Sequence, residues 1–271
     1  MSKSIYTIMM KAIIYLSFFI VVFPLFILLL WSFTGIWPWP SLIPESFSLR
    51  ALGELFGGYS GALKTLFTSV LISLVVALLS IVISIPAARA ITLYKFFGRN
   101  IIKFAVLMPV LVPVTTFAMG IQVFFIRLGL NDTVLGVILV HVILCLPYTV
   151  MIMSDVTKAT GNKLEIQARV LGASPFRTFI SVTLPVATPG IIASCSMAFI
   201  ISFSQYFITF LIGGGNVITY AMLMFPYIQS GDRTIASAYS VIFIISTILV
   251  FISFEKPLKK YYKIENTYFF S

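Results

Sequence analysis

The sequence predicts an all-α integral membrane protein, a bundle of about six transmembrane helices, and three observations lead there. Sixty per cent of the 271 residues are apolar and 10% are charged, with a mean hydropathy of +1.09, whereas soluble domains run nearer half apolar and about a quarter charged. The apolar residues gather in six long stretches, each close to the roughly 20 residues a helix needs to cross a bilayer. None alternates with the two-residue period of a barrel strand, and backbone polar groups in lipid must be paired within a helix or a closed barrel.

The stretches are residues 12–31, 63–86, 101–126, 134–153, 189–212 and 235–254. They leave connections too short for a sizeable soluble domain, so residues 1–271 read as one transmembrane domain. The first stretch follows a basic start, as a signal peptide does. Its apolar run exceeds the usual range of about 7–15 residues and no small-residue cleavage site follows, so it reads as a retained span.

Six spans place both termini on one side, and the basic residues say which. Lys3, Lys11, Arg89, Lys95, Arg99, Lys103, Lys158, Lys163, Arg169, Arg177, Lys256, Lys259, Lys260 and Lys263 fall on that side, against Arg50, Lys64, Arg127 and Arg233 on the other. Cytoplasmic loops carry the excess of Lys and Arg. The chain is therefore placed in the cell membrane with both termini, residues 89–103 and residues 155–188 cytoplasmic. This topology accounts for the formal charge of +10 without nucleic acid, because no soluble basic face gathers the charges. On the outer side Trp37, Trp39, Pro38, Pro40 and Pro44 form an aromatic belt suited to the membrane interface.

Enzyme chemistry finds little footing. There is no His-Glu-x-x-His or Gly-x-Ser-x-Gly motif, and the chain has a single histidine. Cys145 and Cys195 lie in apolar runs, which argues against a disulfide or a metal site. No Gly-x-x-x-x-Gly-Lys loop is present, so any ATP is hydrolysed by another chain. The chain is read as binding no cofactor and as having no catalytic or metal-ligating residues.

One connection is long. Between the fourth and fifth spans, residues 155–188 carry the signals of two short helices. Asn162 is placed to cap the first, Gly172 to end it in a left-handed conformation, and Ser174 with Pro175 to start the second, which is predicted to run to Leu184-Pro185. In the first helix Leu164, Ala168 and Leu171 recur at i, i+4 and i+7, an apolar face that must be covered by the membrane, by the chain's own helices or by a cytoplasmic partner.

The run Ile166-Gln167-Ala168, then three residues, then Gly172-Ala173-Ser174, with Leu184-Pro185 downstream, resembles the Glu-Ala-Ala loop of ABC importer permeases. The six-span plan and the stretch Ile85-Pro86-Ala87-Ala88-Arg89-Ala90 fit the same family, above all the second permease of spermidine/putrescine, ferric iron or thiamine importers. The resemblance implies a type I importer fold and a subunit that forms half of a solute pathway. It implies as partners a second, homologous or identical permease, two ATP-binding subunits that hold ATP and Mg, and an extracytoplasmic solute-binding protein. It also implies that Glu165, Ile166, Gln167, Ala168, Arg169, Gly172, Ala173, Ser174, Leu184 and Pro185 form the loop that couples to the ATPase. The match departs from the pattern at one place: Ile166 occupies the family's glutamate position, and Glu165 sits one residue earlier, about 100° around the helix.

Ionisable and polar groups within spans are the candidates for the pathway. His141 in the fourth span either bonds a neighbouring helix or lines the pathway. Ser204, Gln205, Tyr206 and Thr209 form a polar cluster in the fifth span, open to the same two readings, and Gly213-Gly214-Gly215 after it calls for a sharp turn or close approach. Pro86 and Pro147 are predicted to kink their helices. Permeases of the polyamine type tend to carry acids after the Ser-Phe pair where Ser204 and Gln205 stand, so a small polar solute is expected with polyamine the weaker case. An ion-coupled secondary transporter is the alternative, but neither inverted repeats nor buried midplane acids are seen.

Overall fold

The computed structural model describes residues 2–38, 40–58 and 61–269, with side chains for residues 6, 7, 9–38, 40–58 and 61–256. Trp39 lies outside the described residues, as do the side chains of Lys3, Lys259, Lys260 and Lys263. The chain is built from α1 (Ser2–Trp31), β1 (Thr34–Ile36), β2 (Ser46–Phe47), α2 (Arg50–Phe56), α3 (Ala62–Leu93), α4 (Arg99–Leu111), α5 (Val114–Arg127), α6 (Val134–Thr160), α7 (Lys163–Val170), α8 (Pro175–Thr178), a π-helical turn (Phe179–Thr183), α9 (Leu184–Phe203), α10 (Phe207–Gly213), α11 (Tyr220–Ser230) and α12 (Arg233–Phe269). Among the described residues five helices are long and apolar enough to cross a membrane, or six when the bent pair α4 and α5 counts as one. The helical membrane class is as predicted, with one small antiparallel hairpin of β1 and β2 added.

Two predicted spans are broken. The stretch 101–126 is two helices bent by 109°. Val112 is extended (φ −92°, ψ 137°) because it precedes Pro113, and the residue before proline is driven out of the helical region. The stretch 189–212 is interrupted at Ser204–Tyr206, where the polar cluster sits, and resumes as α10. Pro86 and Pro147, in contrast, lie inside the continuous helices α3 and α6.

Contacts divide the chain into two units. In the first, residues 1–64 with 223–246, the end of α1 meets the hairpin. Trp31 stacks on Trp37 at 4.5 Å, and Trp37 Nε1 donates to Ser41 O at 2.7 Å. Arg50 pairs with Asp232, Tyr227 donates to Glu54 at 2.6 Å, and the Arg233 guanidinium lies 5.4 Å from the Trp31 ring centre.

Among the described residues of the second unit, 65–222 with 247–271, apolar side chains gather into cores along α6 and its neighbours, as two clusters illustrate. Ala118 and Phe125 of α5, Val137, Val140 and Leu144 of α6, and Ile208 and Ile212 of α10 form one. Ile81, Ile85 and Ala88 of α3, Met153 of α6 and Ala187 of α9 form the other. Helices α6 and α9 cross closely at Gly190, where an added Cβ would stand 2.5 Å from Val156 Cγ2. The glycine run makes the predicted sharp turn, with Gly214 at φ +54° and Gly215 at φ +84°, and a Cβ on Gly214 would collide with the Asp132 carboxylate. Asp132 is itself left-handed (φ 62°), with its N–H donating to Ile212 O at 2.7 Å.

Candidate functional site

The connection between α6 and α9 is arranged around a buried acid. Arg89, near the end of α3, donates from Nη1 to Glu165 Oε1 at 2.6 Å and from Nη2 to Oε2 at 2.7 Å. Thr183 Oγ1, in the π-helical turn, donates to the same Oε1 at 2.8 Å. The two charged side chains are only 18% and 11% exposed. The Arg89 hydrogen bond, opposed by burial and assisted by Thr183, holds the Glu165 carboxyl below its ordinary pKa, so the pair stays ionised. A two-pronged guanidinium–carboxylate pair also sets direction, and here it fixes α7 to α3 and to the entry of α9.

This arrangement narrows what can cover the predicted apolar face of α7, because that face does not pack beneath the chain's own helices. The residue α7 turns inward is Glu165, whereas Leu164 and Leu171 are exposed and Ala168 is half-buried. Burying a carboxylate is favourable only with partners in place, and Arg89 and Thr183 supply them. The apolar side chains are thereby turned outward: Ile166 is 53% exposed, Val170 82%, Leu171 87% and Phe176 74%. Gln167 and Arg169 are exposed beside them.

The turns that shape this surface follow local rules. Gly172 has φ +88°, the N–H of Ala173 donates to Ala168 O at 3.0 Å, and that of Gly172 to Arg169 O at 3.0 Å. This pair of bonds is a Schellman stop, which needs a left-handed residue at the glycine. Ser174 then caps α8, its side chain accepting from Arg177 N at 3.3 Å, with Pro175 at the first helical position. Asn162 stands before α7 but makes no side-chain cap bond; at φ −120°, ψ 9° it lacks the extended backbone of a capping residue. The second short helix does not stop at Leu184-Pro185. Through a π-helical turn, in which Leu184 N–H bonds Phe179 O, the chain continues into α9. Pro185 has no N–H and crowds the preceding turn, and the wider turn accommodates it. Leu184 packs against the core of Ile81, Ile85, Ala88, Met153 and Ala187 and so stands apart from the outward apolar surface.

A second site lies where the two broken spans face each other. A cavity of about 550 Å³ is lined by the α4–α5 break, including Val112 and Pro113, by Leu144 and Tyr148 of α6, and by Ser204 and Gln205 at the α9–α10 break. Ser204 Oγ bonds back to Ile200 O at 2.8 Å. Tyr206 stacks on Phe210 at 6.0 Å. Thr209 and His141 are fully buried and outside the cavity lining. The imidazole bridges Ser202 Oγ through Nδ1 at 2.9 Å and Thr209 Oγ1 through Nε2 at 2.9 Å, tying α6 to α9 and α10. Of the polar residues expected near the pathway, Ser204 and Gln205 therefore reach the cavity, and His141 and Thr209 make helix-to-helix bonds. Sequence reasoning missed the partnership of Arg89 with Glu165 and Thr183, for which no spacing gives a signal. It also missed the break at Val112-Pro113, which the two prolines Pro109 and Pro113 could have announced.

Comparison with known proteins agrees with this architecture. Residues 80–255 match the family described as binding-protein-dependent transport system inner membrane component. The putrescine transport system permease protein PotI of Escherichia coli K12 is 26% identical over 224 residues, covering 76% of this chain and 80% of its own length. The molybdate/tungstate transport system permease protein WtpB of Pyrococcus abyssi is 29% identical over 136 residues, 50% of this chain and 54% of its own. A chain from the crystal structure of a bacterial ABC transporter involved in the import of the acidic polysaccharide alginate shares the fold. It has a TM-score of 0.74 at 16% identity over 94% of this chain and 97% of that one. These matches set aside the secondary-transporter alternative. The chain belongs to the family of binding-protein-dependent transport system inner membrane components: it is the multi-pass membrane permease subunit of an ABC importer, a transport subunit and not an enzyme, which works with ATPase and binding-protein partners.

Proposed function

We propose that this permease pairs with a second permease, homologous or identical, to enclose a solute pathway, and that residues 162–178 dock on one of two cytoplasmic ATPase subunits. The observation that carries the reading is the Arg89–Glu165–Thr183 seat beneath an outward apolar surface of Ile166, Val170, Leu171 and Phe176. ATP and Mg are held by the ATPases and solute arrives from an extracytoplasmic binding protein. The basic residues favour a cytoplasmic position for both termini and for this loop.

The seat explains how a push would travel. Force on α7 reaches α3 through Arg89 and α9 through Thr183, so the ends of two spans move with the loop. Closure of the ATPases would drive the pathway between inward-open and outward-open states, with the breaks at Val112-Pro113 and Ser204–Tyr206 as the points where helix segments change angle. Arg169 and Gln167 supply polar contacts at the rim of the docked surface.

The pathway cavity carries Ser204, Gln205 and Tyr148 but no charged side chain. Neutral hydrogen-bonding groups suit a small polar solute, with a polyamine the weaker case among polyamine, ferric iron and thiamine, and leave discrimination by charge to the binding protein. Thr209 supports this lining from behind by donating to Gln205 O at 3.0 Å, and His141 in turn bonds Thr209 at 2.9 Å. Purification of the tagged chain in mild detergent tests the reading: recovery of an ATPase and a second permease supports it, and a chain that purifies alone from membranes active in uptake contradicts it.

A further inference from the structure

A separate cavity of about 310 Å³ lies between the end of α3, the first turns of α4 and the second half of α6. Leu107, Val150 and Met151 give it apolar walls, and Arg99, Lys103 and Lys158 also line it, against the single acid Asp155. Three cations and one carboxylate leave a net charge of +2 (3 − 1). Lys158 is matched by Asp155 at 2.8 Å, but this pair is exposed, at 65% and 61%, and such a pair is weak. Arg99 donates from Nε to Ile91 O at 2.6 Å, which keeps its guanidinium in place beside the cavity.

Two further features point to an anionic occupant. Arg99 and Lys103 sit in the first two turns of α4, which has no acid in its first turn. Cations there face the positive end of the helix dipole, an unfavourable arrangement that a bound anion relieves. Thr92 Oγ1, also in the lining, is buried without a hydrogen-bond partner, and a buried hydroxyl ordinarily has one. A cavity with apolar walls, several cations and an unused hydroxyl, set between helices at the end of the spans, has the chemistry of a phosphate head joined to an acyl chain.

We propose that this cavity binds an anionic phospholipid, its phosphate held by Lys103, Lys158 and Arg99 and its acyl chain against Leu107, Val150 and Met151. The proposed orientation enters only in assigning the lipid to the cytoplasmic leaflet; the site itself stands whichever way the chain is inserted.

The test is a titration of the full-length chain, purified in mild detergent with whatever subunits accompany it, using phosphatidylglycerol and phosphatidylcholine, with bound lipid counted by native mass spectrometry. The accompanying subunits report on the proposed function, and the lipid reports on this site. Phosphatidylglycerol is expected to bind in preference. Lys103→Gln with Lys158→Gln should weaken it about 30-fold, at roughly 5-fold per lysine near a membrane surface, while Lys103→Arg with Lys158→Arg keeps it. Equal binding of the two lipids, binding unchanged in the glutamine variant, or displacement of the lipid by millimolar inorganic phosphate would overturn the proposal, the last by assigning the site to a small soluble oxyanion.

Discussion

Replacing Arg89 with Ala removes both prongs from a carboxylate that is only 11% exposed. Truncating one partner of a fully buried ion pair costs about 3–5 kcal/mol, and an exposed pair is worth about 0–1 kcal/mol. With side chains 18% and 11% exposed, this pair lies nearer the buried limit, and we expect a loss of about 2–3 kcal/mol in the seating of α7. That free energy corresponds to an increase of roughly 30- to 150-fold in local opening. Amide hydrogen exchange across residues 166–171 in the detergent-solubilised protein reads it directly. The double variant Arg89→Ala with Glu165→Ala should cost less than the sum of the singles by about 1–3 kcal/mol, because the second change removes the stranded charge. Exchange unchanged in Arg89→Ala, or strictly additive singles, would refute the role given to this pair. The pH dependence has a definite sign. The Glu165 carboxyl is held below its ordinary value in the folded protein, chiefly by Arg89. Its contribution is therefore complete above the unfolded pKa of about 4.3, and it is lost only as pH falls through the lower folded value. The seat should be insensitive between about pH 5 and 8.

Three other outcomes follow from single contacts. Gly190→Ala places a methyl 2.5 Å from Val156 Cγ2, so thermal unfolding should show a loss of about 1–3 kcal/mol that Val156→Ala largely restores. His141→Ala strands the Ser202 hydroxyl and leaves Thr209 only its bond to Gln205 O, and it should cost about 1–3 kcal/mol in thermal stability while leaving the solute preference of uptake unchanged; altered preference at full stability would instead place His141 on the pathway. Gly172→Ala must adopt φ +88° and should destabilise the loop by about 1–2 kcal/mol, with Gly172→Asn milder. Since no atom lies within 4 Å of an added Cβ there, the effect is one of backbone conformation and not of crowding.

How far the sequence could be read depended on the range of the interaction. Apolar runs and the signals of turns and caps are local, and they located most spans, the Gly172 stop, the Ser174 cap and the sharp turn at Gly214. Periodicity picked out the apolar face of Leu164, Ala168 and Leu171 without saying what covers it, and nothing local reveals that α7 turns Glu165 inward because Arg89, 76 residues earlier, and Thr183 satisfy the acid. The break beside the cavity was missed for a different reason: the extended conformation that Pro113 forces on Val112 is a local effect, but hydropathy is blind to it, so two helices at 109° read as one span. His141 shows the intermediate case. A polar residue in an apolar helix must be satisfied, but only the packing of α6 on α9 and α10 shows that Ser202 and Thr209 do it. The resemblance to a Glu-Ala-Ala loop located the right segment although its glutamate position holds Ile166, because the Gly172 turn and the Ser174 start are set by backbone rules.

The central claim is that the outward apolar surface of the loop is the ATPase docking site, and co-purification of the ATPase with tagged Val170→Asp/Leu171→Asp permease tests it most directly. Both residues are more than four-fifths exposed, so the permease should fold and keep its membrane partner while the ATPase is lost and uptake falls with it. A variant that retains the ATPase at wild-type yield and still transports would contradict the account.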